Sequence, residues 1–281
     1  MKVLPFKIPK PDRDALVFQV DNDAVFYDQL HQHEEIQLSL IVEGKGTLIV
    51  GDTINDYTKG DILVIGSNLP HVFKSDSNTN VHSHMLTLFF TKTSFGKHFF
   101  ELEELHEIKS FFRKSTNGFK VTSHKKRLQE LFFQLEGTSK LGRFIILLNL
   151  LKAVSSASST SLSSFIYDKK YTDIEGKRIR EVIEFTMSHF NEDISLESVS
   201  NVATMTKNAF CKYFKKRTNK TYFTFLNELR IENACKLLMS EKDLPIGTIA
   251  DQCGFNNISN FNRQFKYIKG QTPHQFRTVK S

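Results

Sequence analysis

The feature that most constrains the fold is a repeat in the last hundred residues. The motif Phe210-x3-Phe214-Lys215-x3-Asn219-x-Thr221-x3-Phe225 recurs 51 residues later as Phe261-x3-Phe265-Lys266-x3-Gly270-x-Thr272-x3-Phe276. Upstream, Val199-Ser200-x3-Thr204-Met205 matches Ile249-Ala250-x3-Gly254-Phe255, with one residue inserted between the two halves. A sequence that matches itself in this way contains one supersecondary unit more than once. The C-terminal third is therefore predicted to hold two copies of one helical unit.

Each copy has the pattern of a helix-turn-helix unit. In the second copy, Ile246–Cys253 is predicted to be the leading helix, with Gly254 in the left-handed turn position and Asn256 capping the next helix. In the first copy, Leu196–Ala203 is the predicted leading helix. The predicted caps there are Ser195 and Thr206, and the predicted connecting helix is Phe223–Met239.

The second helix of each copy is predicted to present a polar and basic face to solvent. Amide, hydroxyl and guanidinium groups pair with base edges, and lysines neutralise phosphates, so this face suits double-stranded DNA. The candidate DNA-binding residues are Asn208, Cys211, Lys212, Lys215 and Lys216 in the first copy, and Ser259, Asn262, Arg263 and Lys266 in the second. A single helix of this kind would more simply be a solvated surface. Two copies favour DNA binding.

The charge distribution supports the same interpretation. Residues 176–281 hold 17 Lys and Arg against 10 Asp and Glu, whereas residues 1–175 hold 21 of each, so the net charge of +7 lies entirely in the C-terminal third. Such an asymmetry indicates a module that binds a polyanion joined to a neutral one.

The C-terminal motif resembles the signature of the AraC/XylS family of transcription regulators. The resemblance covers about residues 177–277 and includes the two units, Arg230 in the connecting helix and the Thr272-Pro273 ending. It implies that both units enter successive major-groove faces of the duplex. It also implies an activator that contacts RNA polymerase, although repression stays open. Ser200 and Thr204 depart from the family pattern, which usually has alanine and glycine there.

The N-terminal region has the pattern of short strands over about residues 17–90. Leu38, Leu40 and Val42 alternate with polar neighbours at the period of two typical of strands, and pairs such as Gly51-Asp52 mark turns. Several short strands with regular turns predict a small barrel or sandwich.

Helical periodicity follows over about residues 94–157. The last helical stripe contains Leu141, Phe144, Ile145, Leu148, Leu151 and Val154. One interpretation is that the helices only cover the barrel. The other is that the surplus apolar face around Phe144, Leu148 and Leu151 forms a homodimer interface.

These patterns define the predicted fold and domains. The fold is a multidomain α+β protein with an N-terminal cupin-like β-barrel, following helices, and a C-terminal all-α domain of two helix-turn-helix units joined by a long helix. The sensor and dimerisation domain is predicted at 1–157, a serine-rich linker at 158–175 and the DNA-binding domain at 176–281. No signal pattern is present, the apolar window Phe144–Val154 is too short to span a membrane, and three widely spaced cysteines suit a reducing compartment. A cytoplasmic protein with no membrane contact is expected.

A second resemblance concerns the N-terminal region. His31-x-His33-x3-Gln37-x6-Gly44 resembles the first cupin motif, with Gln37 where a carboxylate is usual, and the stretch ending at Pro70-His71 resembles the second. Residues 31, 33 and 37 share parity, which predicts one face of one strand, with His71 on a neighbouring strand. The four residues His31, His33, Gln37 and His71 are the candidate pocket for a small-molecule effector. Because Gln37 brings no negative charge, no metal and no cofactor are expected.

Two other functions stay open at this level. A metal-dependent cupin enzyme fused to a DNA-binding module would place its metal on His31, His33 and His71, with Glu34 and Glu35 as acid/base candidates by proximity alone. An architectural DNA binder without sequence preference would need only lysines on its outward faces, whereas this chain also has Ser, Asn and Arg there. A regulator without catalytic activity is the favoured prediction.

Overall fold

The computed structural model describes residues 5–6, 14–76, 82–165 and 172–279. The chain divides into two compact units, Met1–Gly176 and Lys177–Ser281. Within the described residues, no helix combines the length and the apolar character that a membrane span requires.

The N-terminal unit is built from two sheets. The strands are β1 (Val17–Asp23), β2 (Ile36–Glu43), β3 (Lys45–Val50), β4 (Thr53–Thr58), β5 (Ile62–Ile65), β6 (His71–Ser75), β7 (Ser83–Phe90), β8 (Phe119–Val121) and β9 (Ser159–Ser161). Six strands form one sheet in the order β1-β7-β2-β5-β8-β9, and three form the other in the order β4-β3-β6. All the strand pairs described are antiparallel. This confirms the cupin-like β-domain predicted for residues 17–90.

The strand β2 is buried on both of its faces. Leu38 and Leu40 lie in one apolar cluster with the helices, whereas Ile41 lies in a second cluster with β3 and β5 residues. The polar Ser39 is also fully buried, and its hydroxyl contacts that of Thr87 on β7 at 2.9 Å. A central strand that is covered on both sides explains why β2 buries apolar residues on both of its faces.

Helices follow the first seven strands. Two short 3-10 helices (Phe99–Glu101 and Glu103–Ile108) precede α1 (Lys109–Ser115), and α2 (Lys125–Phe133) and α3 (Lys140–Ser156) come after β8. Ser139 caps α3, because its hydroxyl accepts a hydrogen bond from the backbone amide of Gly142. The strand β8 lies inside the stretch predicted as helical, and it extends the larger sheet by pairing with β5.

The serine-rich stretch differs from the linker predicted at 158–175. Ser159–Ser161 pairs with β8, and Leu162 is buried in the N-terminal core. Ser163 donates a hydrogen bond to the buried carboxylate of Asp52 at 2.7 Å, and Ser164 donates two, from its amide and its hydroxyl. The first part of the stretch therefore belongs to the N-terminal unit. Residues 166–171 lie outside the described residues.

Helix α3 buries a different face from the one predicted. Leu151 is fully buried, so the prediction that it contributes to an exposed dimer surface is wrong. Phe144 packs on Phe95 with ring centroids 4.6 Å apart. The apolar residues that α3 exposes most are Leu141 (68% exposed) and Ile145 (52%), because the neighbouring helices cover the opposite side of the helix.

All the secondary-structure elements described in the C-terminal unit are helices. Its helices are α4 (Asp173–His189), α5 (Leu196–Val202), α6 (Lys207–Thr218), α7 (Tyr222–Ser240), α8 (Ile246–Gln252), α9 (Ile258–Lys269) and α10 (Pro273–Val279). The pairs α5–α6 and α8–α9 are the predicted helix-turn-helix units, and α7 is the predicted connecting helix. The caps Ser195 and Thr206 are confirmed, since each side chain accepts a backbone hydrogen bond. The cap of α9 is Asn257 and not Asn256.

Candidate DNA-binding surface and histidine cluster

The two helix-turn-helix units have the same turn geometry. In the first, the Met205 amide donates to the Ser200 carbonyl at 3.0 Å, and in the second the Phe255 amide donates to the Ala250 carbonyl at 3.0 Å. The residue just before that amide is left-handed in both units, Thr204 at φ 53° and Gly254 at φ 80°. The repeat in the sequence is therefore a repeat in the backbone. The extra residue of the second copy lies between this turn and the cap of α9.

Gly254 also meets a steric requirement that Thr204 does not share. A Cβ atom at Gly254 would lie 2.7 Å from the Phe190 carbonyl oxygen and 3.0 Å from Arg230 Nε. Arg230 donates from Nε to that carbonyl and from Nη2 to the Glu192 carbonyl, each at 2.7 Å. Arg230, a residue of the family resemblance, therefore anchors the segment after α4 against the second turn. Burial lowers the pKa of its guanidinium from the ordinary value.

An aromatic pair anchors each recognition helix, by which we mean α6 and α9. Phe210 and Phe214 are fully buried under α6, and Phe261 and Phe265 are fully buried under α9. In both pairs the ring centroids lie 5.7 Å apart. The two aromatic residues of each pair lie one helical turn apart and therefore fix which side of the helix faces the core. The opposite side is left exposed to solvent.

The outward side carries the residues predicted to bind DNA. All nine are exposed: Asn208, Cys211, Lys212, Lys215 and Lys216 on α6, and Ser259, Asn262, Arg263 and Lys266 on α9. The Arg263 guanidinium donates to the Asn260 side chain at 2.8 Å, which holds it along the helix surface. Each recognition helix therefore has one face of hydrogen-bonding and cationic groups.

The groove beside the first turn adds residues that were not among the candidate DNA-binding residues. It has a volume of about 810 Å³, and Asn201, Thr204, Met205 and Lys207 are among the residues that line it. Lys207 pairs with Glu197 across this groove at 3.0 Å. Their position beside the start of α6 could not be predicted from residue type alone, because it depends on the conformation of the turn.

In the N-terminal unit, the four predicted pocket residues come together. His31, His33, Gln37 and His71 are all buried, with exposures of 8%, 3%, 3% and 0%. His31 forms an isolated antiparallel bridge with His71 of β6, so His71 lies beside His31, although β6 pairs with β3 and not with β2. The single strand predicted over 31–37 is interrupted, because β2 begins only at Ile36.

The three imidazoles have matching hydrogen bonds. Nδ1 of His31 contacts the Gln29 carbonyl at 2.8 Å, Nδ1 of His33 contacts the Glu35 carbonyl at 2.8 Å, and Nδ1 of His71 contacts the Leu69 carbonyl at 2.9 Å. A carbonyl oxygen only accepts hydrogen bonds, so Nδ1 is the protonated nitrogen in each ring. In the neutral ring the lone pair then lies on Nε2.

Gln37 lies beside these rings. Its amide nitrogen donates to Ser39 Oγ at 3.0 Å, and its carbonyl oxygen lies 3.2 Å from Nε2 of His33. The carboxylate of Glu35 lies 3.9 Å from Nδ1 of His33, behind the ring. Glu35 is thus placed next to a cluster imidazole, and Glu34 is exposed.

The residues present fit the divalent metal ion that the cupin resemblance implies at this place. One potential ligand nitrogen from each of His31, His33 and His71 lies within 4.8 Å of those of the other two. Imidazoles that donate their other N–H to a backbone carbonyl are the usual arrangement around protein-bound transition metals. Gln37 supplies a neutral oxygen where the cupin pattern has a carboxylate.

Two family models match the chain. One, described as a helix-turn-helix domain, matches residues 199–278, and the other, described as a cupin domain, matches residues 19–87. The first match includes both helix-turn-helix units, and the second includes His31, His33, Gln37 and His71.

Several known proteins are similar to the chain. YdeC, an uncharacterized HTH-type transcriptional regulator of Bacillus subtilis (strain 168), is 21% identical over 266 residues, which cover 91% of this chain and 88% of YdeC. LumQ, a probable transcriptional regulator of Photobacterium leiognathi, is 24% identical over 251 residues, covering 88% of this chain and 91% of LumQ. The solved structure of a probable AraC family transcriptional regulator from Rhodopseudomonas palustris CGA009 aligns at 20% identity with a TM-score of 0.35, over 37% of this chain and 97% of that one.

The relatives match over both units of the chain, and the residues of the C-terminal signature occupy equivalent places in two turns of the same geometry. With a cupin domain followed by a double helix-turn-helix domain, the chain is a transcription regulator with a DNA-binding domain of the AraC type.

Proposed function

We propose that the chain recognises a specific operator by inserting α6 and α9 into successive major-groove faces of double-stranded DNA. The observation that carries the proposal is the pairing of equivalent turns with two exposed recognition faces. Lysines of α6 would contact phosphates, whereas Ser259, Asn262 and Arg263 of α9 have the groups that read base edges. The nine exposed residues named above are the proposed DNA contacts.

Selection of bound sequences from a random duplex pool tests this proposal. Full-length protein should enrich one motif whose two halves lie about one helical turn, roughly 10 bp, apart. A variant with Asn262→Ala and Arg263→Ala serves as the control and should lose the half that α9 reads. Binding without enrichment would identify an architectural binder instead.

We further propose that the N-terminal unit controls this activity in a cytoplasmic regulator that activates transcription through RNA polymerase. The support is the family, whose cupin domains suggest ligand sensing. A reporter fused to the selected operator separates the two signs of regulation. Activation requires expression to fall when the chain is deleted, and a rise would identify a repressor.

A regulator without enzymatic activity agrees best with the surroundings of the histidine cluster. The carboxylate of Glu35 lies on the Nδ1 side of His33 and not on the side where Nε2 points. An acid/base group for a cupin reaction would instead need to reach a substrate on the Nε2 side. The family relationship points in the same direction.

We propose homodimerisation through the exposed side of α3. Leu141, Ile145 and the half-buried Leu148 recur at helical spacing on one face. Light scattering on the full chain should report a dimer, and Ile145→Glu should shift it towards monomer. Lys126→Glu, at an exposed position of α2 and therefore outside this face of α3, is the control and should leave the dimer intact. A monomer at micromolar concentration would contradict the proposal.

A further inference from the structure

We propose that a cleft in the N-terminal unit binds a small phosphomonoester, by which we mean a phosphate group carried on a compact apolar body. The cleft lies between the end of β7, the 3-10 helix Phe99–Glu101 and α1, and its volume is about 390 Å³. Among the described residues, it shares no lining residue with the histidine cluster. The residues that line it are Lys92, Lys97, Phe100, Glu101, Lys109 and Phe112. The inference goes beyond DNA recognition, because it concerns the other unit of the chain.

The floor of the cleft is aromatic. Phe100 and Phe112 belong to the core of the unit, with only 7% and 8% of each residue exposed, and their ring centroids lie 4.7 Å apart. The ammonium nitrogen of Lys92 lies 5.7 Å from the centroid of the Phe112 ring, a distance at which a cation is attracted to the face of a ring. Two closely packed rings therefore give the cleft an apolar floor, and a cation lies over one of them.

The rim of the cleft is positively charged. Three lysines surround it, and Glu101 supplies the one carboxylate among its described lining residues, so the lining has an excess of two positive charges. That carboxylate already has a partner, since it accepts a hydrogen bond from Nδ1 of His98 at 2.7 Å. Like charges around one cleft repel one another, and an anion that binds among them offsets this repulsion. The charge of the cleft is therefore complementary to an anion.

The lysines are not held in strong ion pairs. Within the described part of the chain, Lys92 and Lys97 pair with no carboxylate. Lys109 lies 3.8 Å from Glu103, whose side chain is 86% exposed. A pair of exposed side chains contributes little stability, because water competes for both charges. All three ammonium groups can therefore turn to a ligand at little cost in broken interactions.

The number of charges favours a phosphate group over a carboxylate. A phosphomonoester has a charge of about −1.5 to −2 at pH 7 and three strong acceptor oxygens, which match the excess charge and the three ammonium groups. A carboxylate has a single charge and two oxygens. Lysine also binds phosphate readily, because its ammonium group acts as a point charge and does not need a planar partner.

The volume of the cleft limits what the phosphate can be attached to. Pockets for small molecules span roughly 300–1,000 Å³, so a cleft of about 390 Å³ fits a ligand near the lower end of that range. The aromatic floor favours a body with an apolar face, since contact with the two rings removes apolar area from water. A phosphorylated metabolite with a single ring meets both conditions.

Isothermal titration calorimetry tests the proposal with phenyl phosphate as the probe. The titration uses full-length protein that has been freed of nucleic acid, at low salt. One phenyl phosphate per chain should bind, with a dissociation constant below about 1 mM. Inorganic phosphate lacks the apolar body and benzoate lacks the second charge, so each should bind at least about tenfold more weakly. Because no DNA is present, this result does not depend on whether the chain recognises an operator.

Single substitutions locate the bound probe. Lys92→Met and Lys97→Met keep an apolar stem but remove the charge, and each should weaken phenyl phosphate binding by about tenfold. Glu101→Gln removes the opposing carboxylate and should tighten binding several-fold, a gain that a loss of folding cannot produce. Lys126→Met is the matched control, because Lys126 is exposed on α2 and does not line the cleft, and it should leave the affinity unchanged.

Any of three outcomes would overturn the proposal. The first is the absence of saturable phenyl phosphate binding at millimolar concentrations. The second is benzoate binding as tightly as phenyl phosphate, which would identify a carboxylate site. The third is binding that survives both Lys92→Met and Lys97→Met but is lost in Lys212→Met, which would place the probe on the recognition helix α6.

Discussion

The two helix-turn-helix units have the same backbone conformation in their turns but form it with different residues. Both turns contain a left-handed residue and the same amide-to-carbonyl hydrogen bond, yet one uses Thr204 and the other Gly254. The difference follows from the surroundings, since Gly254 lies against the Phe190 carbonyl and Arg230, whereas Thr204 is exposed. The turn conformation therefore accepts a threonine, and glycine is required only where another segment approaches.

The recognition helices differ as well. The exposed face of α6 contains Lys212, Lys215 and Lys216. That of α9 contains Ser259 and Asn262 together with Arg263 and Lys266. Lysine at the surface acts mainly as a point charge, while amides and guanidinium groups have the geometry to discriminate bases. The first unit is expected to supply affinity and the second to supply more of the sequence specificity.

The largest expected difference between the units is in thiol reactivity. Cys211 lies exposed on α6, whereas Cys253 is buried at the end of α8, and burial raises the pKa of its thiol to about 12. At pH 8 only about one in ten thousand Cys253 side chains is then a thiolate. Cys235 is buried as well, so maleimide should modify the native protein once, at Cys211, as mass spectrometry of peptides will show.

Operator DNA sharpens the same experiment. If Cys211 faces the groove, saturating operator should protect it, and scrambled duplex at high salt should not. Modification of Cys253 in the native protein, or unchanged labelling of Cys211 on the operator, would contradict the assignment.

Next in size is the effect of Gly254→Ala. A Cβ atom adds the left-handed strain and a clash with a backbone carbonyl, so the free energy of unfolding of the C-terminal unit should fall by about 3 kcal/mol. Urea unfolding measures it. Gly247→Ala is the matched control, because a Cβ atom at Gly247 in α8 would meet no atoms within 4 Å, and it should stabilise by about 0.5–1 kcal/mol. Equal effects of the two substitutions would show that the Phe190 contact is unimportant.

The division between base reading and charge is tested by Arg263→Ala against Lys215→Ala. Loss of a bidentate base contact should cost about 1–3 kcal/mol on the operator and little on scrambled DNA. Loss of a phosphate contact should weaken both duplexes alike and lower the salt slope by about one. Titrations at several salt concentrations measure both. If Arg263→Ala weakens both duplexes equally, the residue is a phosphate contact.

The smallest expected effect is at Thr204. Because a threonine at φ 53° is strained and its side chain is exposed, Thr204→Gly should raise the free energy of unfolding by about 0.5–1 kcal/mol once the greater freedom of glycine in the unfolded chain is deducted. Urea unfolding checks this, with Thr221→Gly, at a cap, expected to destabilise. A loss of stability at Thr204 would mean that its side chain supports the turn.

Several features of the fold follow from sequence because they are local. The spacing of Phe210 and Phe214 fixes which side of α6 is inward, and a capping hydroxyl such as Thr206 marks where a helix begins. The repeat then transfers the same reasoning to α9. For these reasons the two units and the exposed face of each recognition helix could be predicted from residue order alone.

Other features were not local. The short strand β8 follows from pairing with β5, and β9 from pairing with β8, although serine-rich sequence reads as a linker. The buried side of α3 depends on which neighbours cover it, since both sides of this helix are apolar. Periodicity cannot decide such cases because it carries no information on partners.

Sequence by itself thus determined the two helix-turn-helix units, their outward-facing polar residues and the presence of a cupin-like domain, because helical period, caps and the repeat act over a few residues. Only the tertiary structure decided that Gly254 must accommodate the Phe190 carbonyl, and that His31, His33 and His71 present one tautomer around Gln37. These properties depend on backbone carbonyls and on segments distant in the chain, whose meeting is set by packing and not by residue type.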